Sequence, residues 1–530
     1  MRSFLSHGYQ ISPIEALCGC RVAYTRRQQA HPFLCKPAWF PRVCLRASSL
    51  MTSTLLSLDT RSLRPYKRIG EFGFNTCHAA IVPRLDLQAQ IRRAHSELGM
   101  RYWRCHGTLS DDMGIVVSDG NGHPVDYAFS GLKRVLDAVL SHHVKPFLEL
   151  SFMPAAFAAK PSATICYYRG ITSPPREWPL WEELIRRTVT FLQETYGVEE
   201  LKTWYFEVWN EPNIPFWSGT RDEYFQLYAS AAHAIKAVDP HLRVGGPATA
   251  RVEWVTPFLE YCRASGTPVD FLSTHIYPSD VAFAESSHGE VQLLGTEFLT
   301  RAFRRVRGEI DAISPGLPFI MGEWNSSAGP LASNHDECNN AAFVSAVLAG
   351  LEDYAEGSLF WNLSDIYEEC QFHFTPFHGG YGLYTVDEVP KSAARAFEFW
   401  HRLKGERAAV HVRDGEVRAG CGCFAVFDSA TGTTSAILWN HLEPGQHAEA
   451  WDVEIEAPPF SQGELSQILP GQGSAFETWQ DMGRPATLKP EMLASLHAAS
   501  VPRRTAIASG VPVSIRVEAG SACLMELRNY

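Results

Sequence analysis

Short β-rich runs alternate with helical patterns from about residue 70 to residue 403, and this alternation constrains the fold more than any other feature. The β-rich runs cover residues 72–77, 102–109, 145–154, 203–212, 242–250, 270–278, 318–327 and 357–365. The helical patterns that follow them cover residues 85–99, 129–143, 179–197, 221–240, 255–266, 295–310, 339–355 and 391–403. Eight strand–helix pairs with nothing left over predict an α/β fold, a closed (β/α)8 TIM barrel.

An open, doubly wound sheet is the alternative arrangement of such units. That fold usually carries a glycine-rich phosphate-binding fingerprint after its first strand. The run at 72–77 has no such fingerprint, and Gly245-Gly246 is too short to serve as one. The sequence therefore favours the closed barrel over the open sheet.

The sequence pattern changes after residue 404. Helical periodicity gives way to alternation of apolar and polar residues, as in "CGCFAVFD", "TSAILWNH" and "PVSIRVEAGSACLMELR", with turn residues between the runs. Such short alternating runs predict a β-sandwich domain over residues 405–530, after a barrel domain over residues 66–404.

Composition excludes several classes of protein. The chain has 530 residues, of which 45% are hydrophobic and 20% charged, as in globular proteins. We find no apolar run long enough for a membrane span. The net charge of −11 disfavours a nucleic-acid partner, because binding to phosphates needs a basic surface.

Residues 1–50 differ from the rest of the chain. They hold seven basic residues and a single acidic one, Glu15. This Arg-rich, acid-poor stretch resembles a transit peptide and has no clear secretory signal, so the compartment stays open between cytoplasm and periplasm. A second interpretation is a non-native upstream extension, with translation starting at Met51.

Polar residues at the predicted strand ends indicate where chemistry occurs, because barrel active sites lie at the carboxyl ends of the strands. Two of them, Glu211 after the fourth strand and Glu323 after the seventh, lie across the barrel mouth from each other. Facing carboxylates are what glycoside hydrolysis requires. Either glutamate alone could instead cap a helix or pair with a rim arginine. The other residues at strand ends are His106, Phe152, Asn210, His275, Tyr277, Trp361 and Asp365.

These motifs together resemble glycoside hydrolase family 39, which contains β-xylosidases and α-L-iduronidases. The resemblance rests on "YWRCHGTLSDDM" (102–113), "ELSFMP" (149–154), "FEVWNEPNIPFW" (206–217), "STHIYP" (273–278), "FIMGEWNSS" (319–327) and "HGGYGL" (378–383). It implies a (β/α)8 barrel with a C-terminal β-sandwich, often joined by a strand from just before the barrel. Here that strand would come from residues 51–65.

The resemblance also implies roles for individual residues. Glu211 would be the acid/base and Glu323 the nucleophile of a retaining, double-displacement reaction with carboxyl groups about 5–5.5 Å apart. Asn210 would bind the sugar 2-hydroxyl, and Tyr277 would donate to the nucleophile. The remaining implied substrate-binding residues are His106 and His275, the apolar wall of Phe152 and Trp361, and the acids Asp365 and Glu368.

Substrate choice depends on the end of the sixth strand. An iduronidase of this family carries a basic residue there to neutralise the substrate carboxylate, whereas this chain has Tyr277. The expected activity is therefore exo-1,4-β-xylosidase action on a small xylo-oligosaccharide, with no cofactor. The alternatives are an α-L-arabinosidase or α-L-iduronidase-like enzyme, or a catalytically silent carbohydrate-binding barrel. A metal site is not expected, because the two histidines lack a third ligand at the usual spacing. The sequence leaves the oligomeric state open.

Overall fold

A computed structural model of the protein describes residues 53–119, 124–280 and 293–529. The strands up to the end of the barrel are β1 (Thr54–Arg64), β2 (Gly73–His78), β3 (Tyr102–His106), β4 (Val116–Ser118), β5 (Pro124–Tyr127), β6 (Lys145–Leu150), β7 (Thr164–Ile165), β8 (Gly170–Ile171), β9 (Tyr205–Val208), β10 (Arg243–Thr249), β11 (Phe271–His275), β12 (Phe319–Trp324) and β13 (Gly357–Phe360). The remaining strands are β14 (Glu406–Asp414), β15 (Cys421–Asp428), β16 (Thr433–Asn440), β17 (Trp451–Glu456), β18 (Gln462–Pro470), β19 (Gly473–Ser474), β20 (Arg503–Ile507), β21 (Val513–Val517) and β22 (Ser521–Arg528). The helices of the described ranges are α1 (Leu85–Leu98), α2 (Ser130–Leu140), α3 (Trp178–Tyr196), α4 (Val198–Leu201), α5 (Arg221–Val238), α6 (Val255–Ser265), α7 (Thr296–Ile313), α8 (Asn339–Leu351), α9 (Ser392–Arg402), α10 (Phe476–Asp481) and α11 (Pro490–Ala499).

Eight parallel strands close into a barrel in the order β2, β3, β6, β9, β10, β11, β12 and β13. Each strand pairs with its neighbour along the chain, and β13 pairs with β2 to complete the ring. The prediction of a (β/α)8 barrel is confirmed, and the open-sheet alternative is wrong. Helix starts follow local chemistry, as at α5, where Thr220 and Glu223 form a reciprocal capping box.

The barrel interior is built in layers, because alternate residues of each strand point inward. The amino-terminal layer is aromatic and aliphatic, and it includes Phe147 and Phe271. Two residues further along the strands the inward positions become charged, with Arg104, Glu149 and Glu207 all fully buried. This charged layer lies directly beneath the strand ends that carry Glu211 and Glu323.

The second domain is a ten-stranded sheet with the order β19, β18, β22, β16, β15, β14, β1, β17 and β21, in which β20 pairs with β18. The sheet curls so that its inner apolar residues, among them Leu56, Leu438 and Ile515, share one core. This arrangement is the β-sandwich predicted from the alternating pattern. Strand β1 pairs antiparallel with β14 and parallel with β17, so a segment preceding the barrel belongs to this sheet.

Helices α10 and α11 were not predicted within the sandwich. They bury Phe476, Trp479 and Leu496 against Phe377 and Val389, which lie in the long loop after β13. The outer face of the sheet, with residues such as Phe424 and Leu524, packs into the same apolar cluster as the barrel helices. The barrel and the sandwich therefore share apolar cores.

The predicted extension at residues 1–50 lies outside the described residues, so its two interpretations stay predictions. Within the described ranges, no helix combines the length and the apolar character needed to cross a bilayer.

Candidate active site

The ends of β9 and β12 bring Glu211 and Glu323 together at the barrel mouth. Oxygen atoms of the two carboxyl groups and a ring nitrogen of His275 all lie within 4.8 Å of one another. Both glutamates are nearly buried, with 8% and 4% of their surfaces exposed. Two carboxyl groups this close in a buried site cannot both be ionised at low cost.

The turn after β9 positions Glu211. Trp209 and Glu211 both have positive φ angles, of 72° and 41°, which end the extended strand within three residues. The backbone N–H of Glu211 donates to the Ala248 carbonyl at 2.8 Å, so the turn is anchored to the adjacent strand β10. The indole of Trp209 donates to the Phe216 carbonyl at 2.8 Å and fixes the loop that follows.

Both oxygens of Glu323 have partners in the protein. Arg104 Nη1 donates to Oε1 at 2.6 Å, and the Tyr277 hydroxyl donates to Oε2 at 3.1 Å. Hydrogen bonds from a cation and a hydroxyl favour the ionised form of a carboxylate and fix its orientation. Arg104 and Tyr277 therefore hold the Glu323 carboxyl group in a fixed orientation, which is what a nucleophile requires.

Arg104 is the centre of the charged layer beneath the two glutamates. Its guanidinium lies 2.6 Å from Glu207, 2.7 Å from Glu149 and 2.6 Å from Glu323. Burial opposes its charge, but the three carboxylates outweigh burial and raise the pKa of Arg104. Burial raises the pKa of Glu207 to about 6, because Arg104 offsets the loss of solvent only in part and the Glu149 charge lies nearby.

We expect Arg104→Met to lower the free energy of unfolding by about 3–5 kcal/mol, because it leaves three buried carboxylates without their shared cation. Chemical denaturation of the full chain measures this loss, and lower pH should recover part of it by protonating the carboxyl groups. Arg263→Met is the matched control, since Arg263 is exposed on α6. A loss no larger than that of the control would contradict this role for Arg104.

Asn210 is oriented by the same guanidinium. Its side-chain oxygen accepts a hydrogen bond from Arg104 Nη2 at 3.1 Å, which turns the amide nitrogen toward the pocket as a donor. Asn210 and Glu211 therefore present a donor and an acid side by side.

The charges around Glu211 favour its protonated form. Burial is the largest cause, and the negative charges of Glu323, Asp280 and Glu369 add to it, so the pKa of Glu211 lies well above its usual value. A carboxyl group that stays protonated near neutral pH can donate a proton to a leaving group. Loss of the Glu323 charge would lower the pKa of Glu211 and let it act as a base afterwards.

The two histidines of the site differ in charge. Burial lowers the pKa of His106, but the carboxylates of Glu149, at 2.9 Å, and Glu323 outweigh burial and raise it. Burial, with the cations Arg104 and His106, lowers the pKa of His275 well below its usual value. Neutral His275 lies 3.0 Å from Glu211 through Nδ1, a contact that can carry a hydrogen bond in either direction as Glu211 loses or gains its proton.

The pH dependence of activity should report these charges. The kcat/KM value should fall as pH rises through the pKa of Glu211, because the ionised carboxyl group cannot donate a proton. Asp280→Asn removes a nearby anion and so stabilises ionised Glu211. We expect this variant to move the alkaline limb of the kcat/KM profile to lower pH, with the exposed Glu260→Gln as control. An alkaline limb that stays in place would contradict the coupling.

The two glutamates lie in a pocket of about 470 Å³. Its walls come from six strand ends or the loops that follow them. The lining residues are His106, Asn210, Glu211, Asn213, Ile214, Pro215, Phe216, Ala250, Arg251, Tyr277, Asp280, Glu323, Ala328, Trp361, Glu369 and Tyr381. A volume at the low end of the range for small-molecule sites suits a short ligand.

Six of the ten residues predicted for the site line this pocket, and two others support it. His275 contacts both glutamates, at 3.0 Å and 3.6 Å. Phe152 lies behind the pocket, where its ring stacks on Phe216 with the centroids 6.1 Å apart. Phe152 therefore supports an aromatic wall that Phe216 presents to the pocket.

Asp365 and Glu368 are not among the residues that line this pocket, and their binding of substrate stays a prediction. Asp365 forms a fully buried ion pair with Lys391 at 2.7 Å, so its charge is neutralised inside the fold. Glu368 accepts from His78 Nδ1 at 2.8 Å. The next residue, Glu369, lines the pocket instead.

Sequence reasoning missed several residues that shape the site. Arg104, Glu149 and Glu207 are charged residues in the middle of apolar strands. A charge in such a position is the sequence feature from which their role in the site could have been predicted. Glu369 is an acidic neighbour of a predicted residue, and burial raises its pKa to about 7. Asp280 follows the sixth strand, and burial raises its pKa to about 7 as well.

Glu211, His275 and Glu323 together form a set that could hold a metal ion. From the sequence no metal site was expected, because the two histidines lack a third ligand at the usual spacing. In the structure, a single histidine lies beside two carboxyl groups. Such N and O donors suit zinc and similar ions. Arg104 and Tyr277 already bind both oxygens of Glu323, and this pairing favours the use of the carboxylates without an ion.

A (β/α)8 barrel with two facing glutamates at its mouth, one whose pKa is raised by burial and nearby anions and one bound by an arginine, defines a glycosidase site. Sequence comparison agrees, since the model of the family described as glycosyl hydrolases family 39 matches residues 56–517. The chain belongs to this family, and the protein is a glycosidase.

Relatives match over most of the chain. A β-xylosidase of Caldicellulosiruptor saccharolyticus is 34% identical over 462 residues, which are 84% of this chain and 92% of the relative. A β-xylosidase of Geobacillus stearothermophilus is 35% identical, with 81% and 86% covered. The crystal structure of a monomeric β-xylosidase from Caulobacter crescentus CB15 superposes with a TM-score of 0.80 at 30% identity, covering 90% of this chain and 100% of that one.

Proposed function

We propose that the protein is a retaining exo-β-xylosidase that releases xylose from the non-reducing end of xylo-oligosaccharides. The observation that carries the proposal is the distance between Glu211 and Glu323, whose oxygens approach within 4.8 Å. Retaining enzymes place the two carboxyl groups about 5–5.5 Å apart, whereas inverting enzymes need about 6.5–9.5 Å to admit a water molecule. The short separation supports direct attack by Glu323 on the sugar.

In the first step Glu323 attacks the anomeric carbon and Glu211 protonates the departing oxygen. The bond to the leaving group breaks as the bond from Glu323 forms, and a covalent xylosyl-enzyme results. In the second step Glu211, now ionised, removes a proton from water, and the water oxygen displaces Glu323 from the anomeric carbon. Arg104 and Tyr277 stabilise Glu323 as the leaving carboxylate.

A neutral sugar suits the residues that surround the nucleophile. Tyr277 occupies the end of β11 and donates to Glu323, and Glu369 adds an acidic group to the pocket wall. The carboxylate of a uronic acid in the position of the released sugar would lie near the acidic groups Glu323 and Glu369. This argues against the iduronidase-like alternative, and the names of the two β-xylosidase relatives favour xylose.

A panel of 4-nitrophenyl glycosides tests the proposal, because the leaving group is constant and only the sugar changes. The β-D-xyloside should show the highest kcat/KM, ahead of the α-L-arabinosides and the α-L-iduronide, and NMR should detect β-xylose before mutarotation. EDTA should leave the rate unchanged if the carboxylates act without a metal ion. Folded protein that releases nothing from the xyloside would overturn the proposal, and the silent binding barrel would then stand.

A further inference from the structure

Arg251, just after β10, places a positive charge on the pocket wall beside Glu211. The other charged or titratable residues lining the pocket are His106, Glu211, Tyr277, Asp280, Glu323, Glu369 and Tyr381, so among the described residues Arg251 is the only arginine or lysine there. Its side chain is 31% exposed. No step of the double-displacement mechanism uses the charge of Arg251.

The wall that carries Arg251 lies on the leaving-group side of the pocket. An acid must contact the oxygen of the leaving group, and the nucleophile must lie on the opposite side of the anomeric carbon. Strand β10 pairs with β9, and the Glu211 N–H binds the Ala248 carbonyl at 2.8 Å. His106 and Trp361, from β3 and the end of β13, form the other wall around the sugar to be released.

The turn that carries Arg251 is fixed by its neighbours. The Asn213 amide donates to the Ala250 carbonyl and accepts from the Ala250 N–H, both at 2.9 Å. Arg305 donates to the Val252 carbonyl at 2.8 Å. The backbone that carries the Arg251 side chain is therefore fixed before any ligand binds.

The guanidinium keeps binding capacity for a ligand. Glu253 forms an ion pair with its Nε atom at 3.1 Å, and Asp280 is a second acid on which the Arg251 charge acts. No residue of the described ranges accepts a hydrogen bond from either Nη atom of Arg251. An arginine whose two Nη nitrogens donate to no acceptor within the described ranges matches the geometry of a carboxylate.

We propose that Arg251 binds a carboxylate on the leaving group. The substrate class would then include xylo-oligosaccharides in which the sugar next to the released xylose bears a uronic acid. This inference rests on the proposed function and adds to it, since it concerns the part of the substrate that departs. The released sugar stays neutral, while the departing part carries the negative charge.

Matched aryl β-D-xylosides test the inference. The leaving groups are hydroxybenzoates and hydroxybenzamides, substituted at position 3 or 4, so that each pair differs in a carboxylate against its neutral isostere. We expect the wild-type protein to prefer at least one carboxylate over its amide by about fivefold in kcat/KM, the size of a partly solvated charged hydrogen bond. Arg251→Gln should bring this ratio to about one, and Arg251→Lys should keep part of it, because the charge stays and the planar fork is lost.

Arg263→Gln removes the same charge from an exposed site on α6 and should keep the wild-type ratio. A wild-type ratio of about one for both positions, or a preference that survives in Arg251→Gln, would overturn the inference. Failure of the proposed function looks different, because then neither the carboxylates nor the amides would be hydrolysed.

Discussion

Glu323→Gln should lower kcat on 4-nitrophenyl β-D-xyloside by a factor on the order of 10⁵, the scale of losing a nucleophile from a covalent mechanism. The glutamine keeps the shape of the side chain and can still accept from Tyr277, but it cannot form the ester with the sugar. The loss should appear for good and poor leaving groups alike, because both need the same attacking atom. Steady-state rates with 2,4-dinitrophenyl and phenyl β-D-xylosides measure this.

Glu260→Gln serves as the control for this loss, since Glu260 is exposed on α6 and has the same change in charge. Circular dichroism and the thermal midpoint of unfolding establish that the Glu323 variant remains folded. A Glu323→Gln protein with activity within tenfold of the wild type would contradict the assignment of the nucleophile.

Glu211→Ala should affect substrates unequally. For a poor leaving group such as phenol, we expect kcat/KM to fall by about 10²–10⁴, the contribution of a positioned general acid. For 2,4-dinitrophenol, which leaves without a proton, kcat/KM should stay near the wild-type value, and its decline at high pH should disappear. The second step still needs a base, so the covalent intermediate should accumulate and kcat should drop.

Azide separates this mechanism from a general loss of function. As an anion it attacks the covalent intermediate without a base, so it should restore kcat of Glu211→Ala on the dinitrophenyl substrate and yield β-xylosyl azide. The same addition should not rescue Glu323→Gln in this way, because that variant forms no xylosyl-enzyme. Equal losses for phenyl and dinitrophenyl substrates, with no effect of azide, would contradict the role of Glu211.

The barrel could be predicted from sequence because each strand–helix pair carries its own local signal. Seven of the eight β-rich runs contain the observed barrel strand, and the run at 72–77 ends one residue before β2 does; helices such as α3 and α5 begin within a residue of their predicted starts. The family resemblance implied that a strand from residues 51–65 joins the sandwich, but its pairing with β14 and β17 was not predicted, since no local pattern joins segments so far apart in the chain. Helices α10 and α11 escaped prediction because they are short and depend on burial of Trp479 against the barrel loop.

The site was predictable where a single strand end fixes the position of a side chain. Glu211 and Glu323 met this condition. Asp365 also follows a strand, but Lys391 pairs with it inside the fold, and such a distant partner leaves no mark on the local sequence. Glu368 and Glu369 are adjacent in one loop. Their sequence does not show which of the two lines the pocket, because that depends on the path of the loop backbone. Arg104 was not predicted because candidate residues were sought at strand ends, whereas Arg104 lies in the middle of a strand.

Covalent trapping tests the central claim, that Glu323 is the nucleophile of a retaining β-xylosidase. A 2-deoxy-2-fluoro-β-xyloside with a dinitrophenyl leaving group should inactivate the protein and add one fluoroxylosyl group to its mass. Peptide mapping should locate that group on Glu323. Labelling of a different residue, or xyloside hydrolysis with inversion and no adduct, would contradict the account.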